Sequence, residues 1–203
     1  MPNVVYTVGH STHSIEKFID LLKVAPVTVV SDVRSAPYSR QNPQFNREFI
    51  KEKLREQNIK YVYLGKELGA RSENQSCYKN GQVQYDLLAQ TELFKKGIER
   101  LREGAQQHVI ALMCAEKEPL DCHRTILVAK ALSETGIEIK HILADGKIET
   151  HDHAIERLFT KFRIPLEEDF YDPKENRVKL AYAQQAKEIA YMEQRSESEE
   201  LSQ

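Results

Sequence analysis

Residues 109–124 read VIALMCAEKEPLDCHR, and this segment decides the fold. Its first five residues are apolar without interruption, which is typical of a strand covered on both faces. Cys114 stands where that strand should end, and the polar residues after it predict a loop. Asp121 is of a residue type that caps helices, so we expect a helix from there to Gly136. A buried strand that leads into a helix is the building unit of parallel α/β sheets.

The same pattern continues on both sides of this segment. Four further runs rich in β-branched and aromatic residues predict strands at residues 4–8, 27–33, 59–64 and 138–143. Helical spacing of apolar residues lies between them, with Ser14, Asn46 and Asp152 placed as caps and with Leu87 and Leu101 on one face of a single helix. We therefore expect a three-layer α/β fold, in which a mostly parallel five-stranded sheet carries helices on both faces.

The composition favours one domain with a short appendage. Of the 203 residues, 40% are hydrophobic, which is enough to bury a core. We expect an α/β domain over residues 1–165, with a long polar loop at residues 66–81 in which Cys77 is a surface thiol. An acidic C-terminal extension should follow over residues 166–203, with a helix at about residues 178–194 and a frayed tail.

The chain has no apolar run that approaches the roughly 18 residues of a membrane span. No basic and then apolar leader is visible at its start. Three cysteines, an odd number, fit a reducing compartment, so we expect a cytoplasmic protein without a membrane partner. The net charge of −2 argues against a dedicated duplex-binding protein, because such proteins need a positive excess to neutralise phosphates.

The carboxyl ends of the predicted strands gather chemically active side chains. In parallel sheets, ligands bind outside these ends. The residues that we assign there as catalytic candidates are His10, Asp32, Cys114 and His123. The residues that we assign there as ligand contacts are Ser11, Arg34, Ser35, Ser39, Arg40, Glu116, Cys122 and Arg124.

Cys114 has three interpretations. A helix start with Cys122, His123 and Arg124 offers positive charge that lowers a thiol pKa, which would make Cys114 a nucleophile. Arg124 and the free N–H groups of that helix start can also hold an anion. Alternatively, Cys114 is a small core residue, or it binds zinc together with Cys122, His123 and His10. We predict no cofactor and assign no metal ligand, and zinc stays as the alternative.

The segment around Asp32 suits an anion. Two arginines, Arg34 and Arg40, and the hydroxyls of the two nearby serines can bind a phosphate or a carboxylate. Asp32 would then orient an arginine or transfer a proton, and the alternative is a structural ion pair. His10 follows a glycine at a strand end, where it serves either as a base or hydrogen-bond donor or as a structural residue.

Four motifs in this order resemble the DUF488 family. They are TVGHS at residues 7–11, DVRSAPYSR at residues 32–40, LGKELG at residues 64–69 and CAEKEPLDCHR at residues 114–124. The resemblance covers roughly residues 4–145. It implies the fold class and the importance of these loops, and it names no reaction because the family is defined by sequence.

The leading hypothesis is an enzyme that acts on a phosphate-bearing or nucleotide-like small molecule. Arg34, Arg40 and Arg124 would hold the anion, and Cys114 would be the nucleophile. His10, His123 or Asp32 would transfer protons. One alternative is a nucleic-acid-binding or processing protein that uses the same arginines, with Phe45 among the aromatic residues that stack on bases. Another is a non-catalytic module that senses a metal or a nucleotide. The C-terminal helix is a candidate homodimer contact.

Overall fold

The predicted parallel sheet forms the centre of the protein. The computed structural model describes residues 4–165 and 173–193. Its strands are β1 (Val4–Gly9), β2 (Val29–Asp32), β3 (Lys60–Tyr63), β4 (Tyr78–Lys79), β5 (Gln82–Val83), β6 (Ile110–Cys114), β7 (Glu138–Ile142) and β8 (Ile148–Thr150). The main sheet has the order β3-β2-β6-β1-β7-β8, in which β8 alone runs antiparallel. The five predicted strands are confirmed. The sixth is a short edge strand that the sequence analysis missed.

The helices cover both faces of this sheet. They are α1 (Ile15–Lys23), α2 (Arg47–Glu56), α3 (Gly65–Leu68), α4 (Tyr85–Gln90), α5 (Glu92–Ala105), α6 (Lys130–Ser133), α7 (His151–Phe162) and α8 (Lys174–Ile189). A π-helical segment, Arg124–Ala129, leads directly into α6. Of the helices in the described ranges, none has the length and the apolar character needed to cross a bilayer.

Strand β6 shows why two separate cores form. Successive side chains of a strand point to opposite faces. Ala111 and Met113 therefore pack in the core that includes α1 and α2, whereas Ile110, Leu112 and Cys114 pack in the core of the opposite face with α5, α6 and α7. The uninterrupted apolar run thus belongs to a strand covered on both faces, and the three-layer α/β class is confirmed.

The first predicted cap is confirmed and the second is replaced by another contact. Ser14 caps α1, because its hydroxyl accepts a hydrogen bond from Lys17 N at 3.2 Å. Asn46 occupies the cap position of α2 but gives that helix no side-chain bond. Its Oδ1 accepts instead from Ser39 N at 2.7 Å, so it ties the preceding turn to the helix.

Two later caps were predicted wrongly. Asp152 lies inside α7, and the cap is Thr150, whose hydroxyl accepts from His153 N at 3.3 Å. Asp121 does not cap the next helix either. The π-helical segment follows directly on His123 and has no side-chain cap.

The single helix predicted from Leu87 to Leu101 is two helices. Thr91 ends α4 and starts α5, because its hydroxyl accepts from Phe94 N at 3.2 Å. Leu87 is 42% exposed, so it does not share the buried face of Leu101. Gly104 lies within the last turn of α5.

The polar loop after β3 is largely structured. It contains α3, a 3-10 turn (Gln75–Cys77) and the first strand of the small β4–β5 hairpin. Cys77 is buried in the core, which corrects its prediction as a surface thiol.

The C-terminal helix α8 packs on its own domain. It begins at Lys174, earlier than predicted, and contacts α7 and the π-helical segment. Gln185 is fully buried, and its amide donates to the Leu120 carbonyl at 2.8 Å. Residues 166–172 and 194–203, which include the predicted frayed tail, lie outside the described residues. A homodimer through this helix stays a prediction.

Candidate functional site

Three central strands bring the predicted site residues to one edge of the sheet. Strand β6 lies between β1 and β2, and Gly9 and Cys114 are register partners, as are Asp32 and Met113. His10 directly follows β1, so it lies beside Cys114, and its backbone N–H donates to the Cys114 carbonyl at 2.9 Å. Cys114 and the Asp32 segment therefore share this edge, as expected from the parallel topology.

The most compact group at this edge consists of Cys114, Glu116, Cys122 and His123, which we call the thiol cluster. One ligand-type atom from each residue lies within 4.8 Å of those from the other three. His123 Nδ1 is 3.7 Å from Cys114 Sγ and 3.9 Å from Cys122 Sγ. Cys122 Sγ is 2.8 Å from Glu116 Oε2. All members except Glu116 are buried.

The His123 ring is held in one tautomer. Its Nε2 lies 3.0 Å from the Val33 carbonyl oxygen, which can only accept a hydrogen bond. The proton of the neutral ring is therefore on Nε2, and the lone pair of Nδ1 faces the two sulfur atoms. This contact was not predictable from a sequence pattern, because Val33 is 90 positions away in the chain.

The two thiols differ in their electrostatic environment. Burial raises the pKa of Cys114, and its neighbour Cys122 adds to the effect. Burial alone would also raise the pKa of Cys122, but the hydrogen bond from Cys114, the charge of Arg124 and the contact with His123 together lower it well below the usual value. The thiolate is thus favoured at Cys122, whereas the sequence analysis had assigned the nucleophile to Cys114.

Glu116 and His123 respond to that negative charge. The Glu116 residue is exposed as a whole, but its carboxylate turns inward, and burial together with the Cys122 sulfur raises its pKa. Burial disfavours the charged form of His123, but the contacts with Cys122 and Glu116 prevail and raise its pKa. The short contact, in which the Cys122 thiol donates to Glu116 Oε2, thus joins a thiol of lowered pKa to a carboxyl group of raised pKa.

Arg124 braces the loop that carries Glu116. Its side chain is fully buried, and Nη1 donates to the Glu116 carbonyl at 2.8 Å, while Nη2 donates to the Lys117 carbonyl at 3.4 Å. The loop passes directly over Gly9, where an added Cβ would lie 1.9 Å from the Glu116 oxygen. Gly9 is thus needed for close backbone approach. These two hydrogen bonds of Arg124 are made to the protein's own backbone and not to a ligand.

Asp32 and Arg34 form a buried ion pair, which we call the brace. Arg34 Nε donates to Asp32 Oδ1 at 2.9 Å, and Nη2 donates to Oδ2 at 2.6 Å. Nη2 also donates to the Phe45 carbonyl at 2.8 Å. Tyr61 on the adjacent strand donates its hydroxyl to Asp32 Oδ2 at 2.6 Å. The structural ion pair that stood as the alternative interpretation is therefore present.

His10 connects the brace to the strand end. Its Nδ1 donates to the Ser11 carbonyl at 2.8 Å, and its Nε2 accepts from Arg34 Nη1 at 3.2 Å. The ring stacks on Phe45 with centroids 4.2 Å apart, and burial lowers the pKa of His10 to about 4. His10 is therefore neutral at pH 7, and both of its nitrogens are engaged. Phe45 is fully buried and not available for base stacking.

The remaining predicted contacts shape the turn after β2. Ser35 Oγ accepts from Arg71 N at 3.0 Å, and Ser39 Oγ accepts from Asn42 N at 3.1 Å. Both hydroxyls thus organise local backbone. Arg40 differs from the other two arginines, because it is exposed at the tip of this turn.

Two features of the site were missed. Tyr61 and Tyr63 lie two positions apart on β3, so their side chains point to the same face of the sheet. This spacing was the available signal that both reach the Asp32 side of the sheet edge. Tyr63 donates to the Ser35 carbonyl at 2.9 Å. Tyr85 lies near the thiol cluster: burial raises its pKa, and the charges of Cys122, Cys114 and Glu116 add to the shift.

A second buried polar chain was also missed. His141 Nδ1 is 2.8 Å from Thr7 Oγ1, and its Nε2 is 3.0 Å from His151 Nδ1. His151 Nε2 is in turn 2.7 Å from the Tyr182 hydroxyl. This histidine chain joins β1 and β7 to α7 and α8. Burial lowers the pKa of both histidines, that of His151 to about 4.

These features define an α/β protein with a buried cluster of thiols, imidazole and carboxylate at the carboxyl edge of its parallel sheet. The chain belongs to the family described as domain of unknown function DUF488, whose model matches residues 14–131. The match confirms the resemblance seen in the motifs. It includes the brace and the whole thiol cluster, and His10 precedes it. Searches of curated proteins and of solved structures returned no match.

Proposed function

We propose that the protein is an enzyme that acts on a phosphate-bearing or nucleotide-like small molecule at the carboxyl edge of the sheet. The thiol cluster carries the observation that supports this proposal. Four chemically active groups are held within 4.8 Å of one another, and three of them are buried. Titratable groups with shifted pKa values gather at functional sites far more often than in ordinary cores.

The cluster supplies reacting groups of two kinds. Cys122 and Cys114 are the nucleophilic atoms, and Glu116, which reaches the surface, exchanges protons with solvent. His123 positions its Nδ1 lone pair toward both sulfur atoms because the Val33 carbonyl fixes its other nitrogen. The leading hypothesis from the sequence named Cys114 alone as the nucleophile. This assignment keeps the cysteine chemistry and adds Cys122 as a second nucleophile.

The arginines divide into two groups in this proposal. Arg34 donates to Asp32 and to the Phe45 carbonyl, and Arg124 donates to the carbonyls of Glu116 and Lys117, so both side chains hold the site in shape. Arg40 is exposed on the turn that follows Arg34. It is therefore the arginine that we assign to the anionic group of the substrate.

We expect Arg40→Ala to weaken the binding of inorganic phosphate and of a nucleoside monophosphate about tenfold or more, because one charge-assisted hydrogen bond contributes roughly 1.5–3 kcal/mol. Isothermal titration calorimetry with each ligand measures this change. Arg55→Ala is the matched control, because Arg55 is 81% exposed at the end of α2 that precedes β3, on the opposite edge of the sheet.

Equal affinities of the wild type and of Arg40→Ala would contradict the proposed anion contact. A single-stranded oligonucleotide that binds more tightly than the mononucleotide, with an affinity that falls steeply as salt rises, would replace the small-molecule proposal by nucleic-acid binding.

A further inference from the structure

The thiol cluster has the chemical make-up of a metal site. Its four donor groups are two cysteine sulfurs, one imidazole nitrogen and one carboxylate oxygen, contributed by Cys114, Cys122, His123 and Glu116. Zinc is bound in proteins by this set of atom types, and borderline-soft ions prefer thiolate and imidazole to oxygen-only sites. Among the described residues, this is the group of histidine, cysteine and acidic side chains whose donor atoms lie close enough together to bind one metal ion.

The separations of His123 Nδ1 from the two sulfur atoms are close to those around a tetrahedral ion. With bonds of about 2.3 Å to sulfur and about 2.0 Å to nitrogen or oxygen, ligand atoms around zinc lie roughly 3.3–3.8 Å apart. His123 Nδ1 is 3.7 Å from Cys114 Sγ and 3.9 Å from Cys122 Sγ. The 2.8 Å contact between Cys122 and Glu116 is shorter, and Glu116 can lengthen it by rotating toward solvent.

The surroundings of the cluster are those of a built site. The Val33 carbonyl accepts from His123 Nε2 at 3.0 Å, which leaves Nδ1 free to bind. Metal-binding histidines are usually oriented by such an outer acceptor. Arg124, fully buried, holds the Glu116 backbone at 2.8 Å and brings positive charge near the two sulfurs. Arg34 lies close enough to interact electrostatically with Cys114. Arg124 thus offsets part of the negative charge of a dithiolate site, whereas the charge of Arg34 is already balanced by Asp32.

We propose that Cys114, Cys122 and His123 bind one Zn²⁺ ion, with Glu116 as the fourth and exposed ligand. Catalytic zinc sites have three protein ligands and an open fourth position, whereas structural sites are closed by four protein ligands. The proposed site is closed while Glu116 is bound, and it would take the catalytic form when the exposed Glu116 is displaced by water or substrate. This inference rests on the proposed function and changes the role of two residues in it. With zinc bound, Cys114 and Cys122 would be ligands and not nucleophiles, and the metal would supply an activated water in their place. Metal binding itself does not depend on Arg40 or on the anion.

We expect protein purified without chelators to contain about one zinc per chain, measured by elemental mass spectrometry. Removal of the metal and titration with Co²⁺ should give thiolate-to-cobalt charge-transfer absorption and tetrahedral d–d bands. Cys122→Ser should weaken zinc binding at least about 100-fold, because a neutral hydroxyl replaces a thiolate ligand. Cys77→Ser is the matched control, because Cys77 is also a buried free thiol but lies outside the cluster.

Glu116→Gln is the second variant, because glutamine keeps the size of the side chain and removes only its negative charge. We expect it to keep the charge-transfer band of both thiolates and to bind zinc about tenfold more weakly. Circular dichroism of each variant tests whether it is folded. Folded wild type that binds no zinc at micromolar concentration, or that shows a Cys114–Cys122 disulfide under reducing conditions, would overturn the zinc site. Zinc binding without phosphate binding would instead sink the proposed function alone.

Discussion

Replacing Asp32 by asparagine is expected to lower the free energy of unfolding by about 3–5 kcal/mol, the usual cost of removing one partner of a buried ion pair. Asp32 is fully buried and binds Arg34 through both carboxylate oxygens, at 2.9 and 2.6 Å. The asparagine amide would turn an N–H₂ group toward either Arg34 or the Tyr61 hydroxyl. Arg34 would then keep its charge in the interior without a counter-charge. Urea unfolding at neutral pH, followed by circular dichroism, measures the loss.

Glu56→Gln provides the matched control. Glu56 pairs with Lys53 at 2.9 Å, but the pair lies at the surface, with the two side chains 47% and 35% exposed, so its replacement should cost less than about 1 kcal/mol. A double variant, Asp32→Asn with Arg34→Met, should recover part of the stability because it also removes the unpaired charge. A loss for Asp32→Asn as small as that of the control would show that solvent reaches the brace.

The brace also explains why Arg34 is buried and structural while Arg40 is exposed. Arg34 donates to Asp32, to Phe45 and to His10, so its orientation is fixed by groups from three parts of the chain. An arginine that is satisfied in this way costs little to bury and keeps the loop after β2 in place. Arg40, six residues further on, carries no such burden and stands exposed.

The sheet was predictable because its evidence is local. Each apolar run reports its own burial, and right-handed crossovers place consecutive parallel strands with their carboxyl ends at one edge. His10, Asp32 and Cys114 were therefore expected at a common edge before any coordinates. The edge strand β8 escaped prediction because it has three residues, of which only Glu149 is buried, so it carries no apolar alternation.

The contacts within the site were not predictable from the sequence. The Asp32–Arg34 pair was open to two interpretations, because a sequence motif does not show whether an arginine is satisfied by its neighbour or left for a ligand. The position of Glu116 depends on the loop over Gly9, and that of His123 on a carbonyl from another strand. Such long-range contacts leave no periodic pattern in either partner.

The helix caps failed for a related reason. Asp and Asn side chains suit turns as well as caps, so composition alone does not choose between them. Asn46 illustrates this, since its oxygen binds the backbone of Ser39 and leaves the helix uncapped. Thr150 caps α7 from two positions before the predicted cap, Asp152. Thr91 caps α5 from a position that the apolar spacing had placed inside a single longer helix.

We expect the protein to lose stability steeply between pH 6.5 and pH 4, and the buried histidines are the cause. Burial lowers the pKa of His10 and of His151 from 6.5 to about 4. The unfolded chain therefore binds more protons than the folded chain in this range, so the stabilisation is complete above pH 6.5 and falls as the pH drops. Each shift corresponds to about 3 kcal/mol, and the two together to roughly half of a typical folding free energy.

The groups around each ring support this sign. Arg34 donates to His10 Nε2 at 3.2 Å, so a second proton on that ring would face a donor. His151 lies between His141 and the Tyr182 hydroxyl, with Asp152 as the nearby acidic group that favours the charged form. Burial outweighs that acid. Protonation of His151 should thus weaken the histidine chain, whose hydrogen bonds connect α8 to the sheet.

Urea unfolding at several pH values tests this expectation, because the slope of stability against pH counts the protons taken up on unfolding. His151→Gln should reduce that slope by up to about 1.4 kcal/mol per pH unit, the value for one proton. The same measurement on His153→Gln provides the comparison, since the His153 side chain lies on the same helix and is 63% exposed. If the wild type and His151→Gln show the same slope, His151 is already accessible to protons in the folded state, and the histidine chain is not closed.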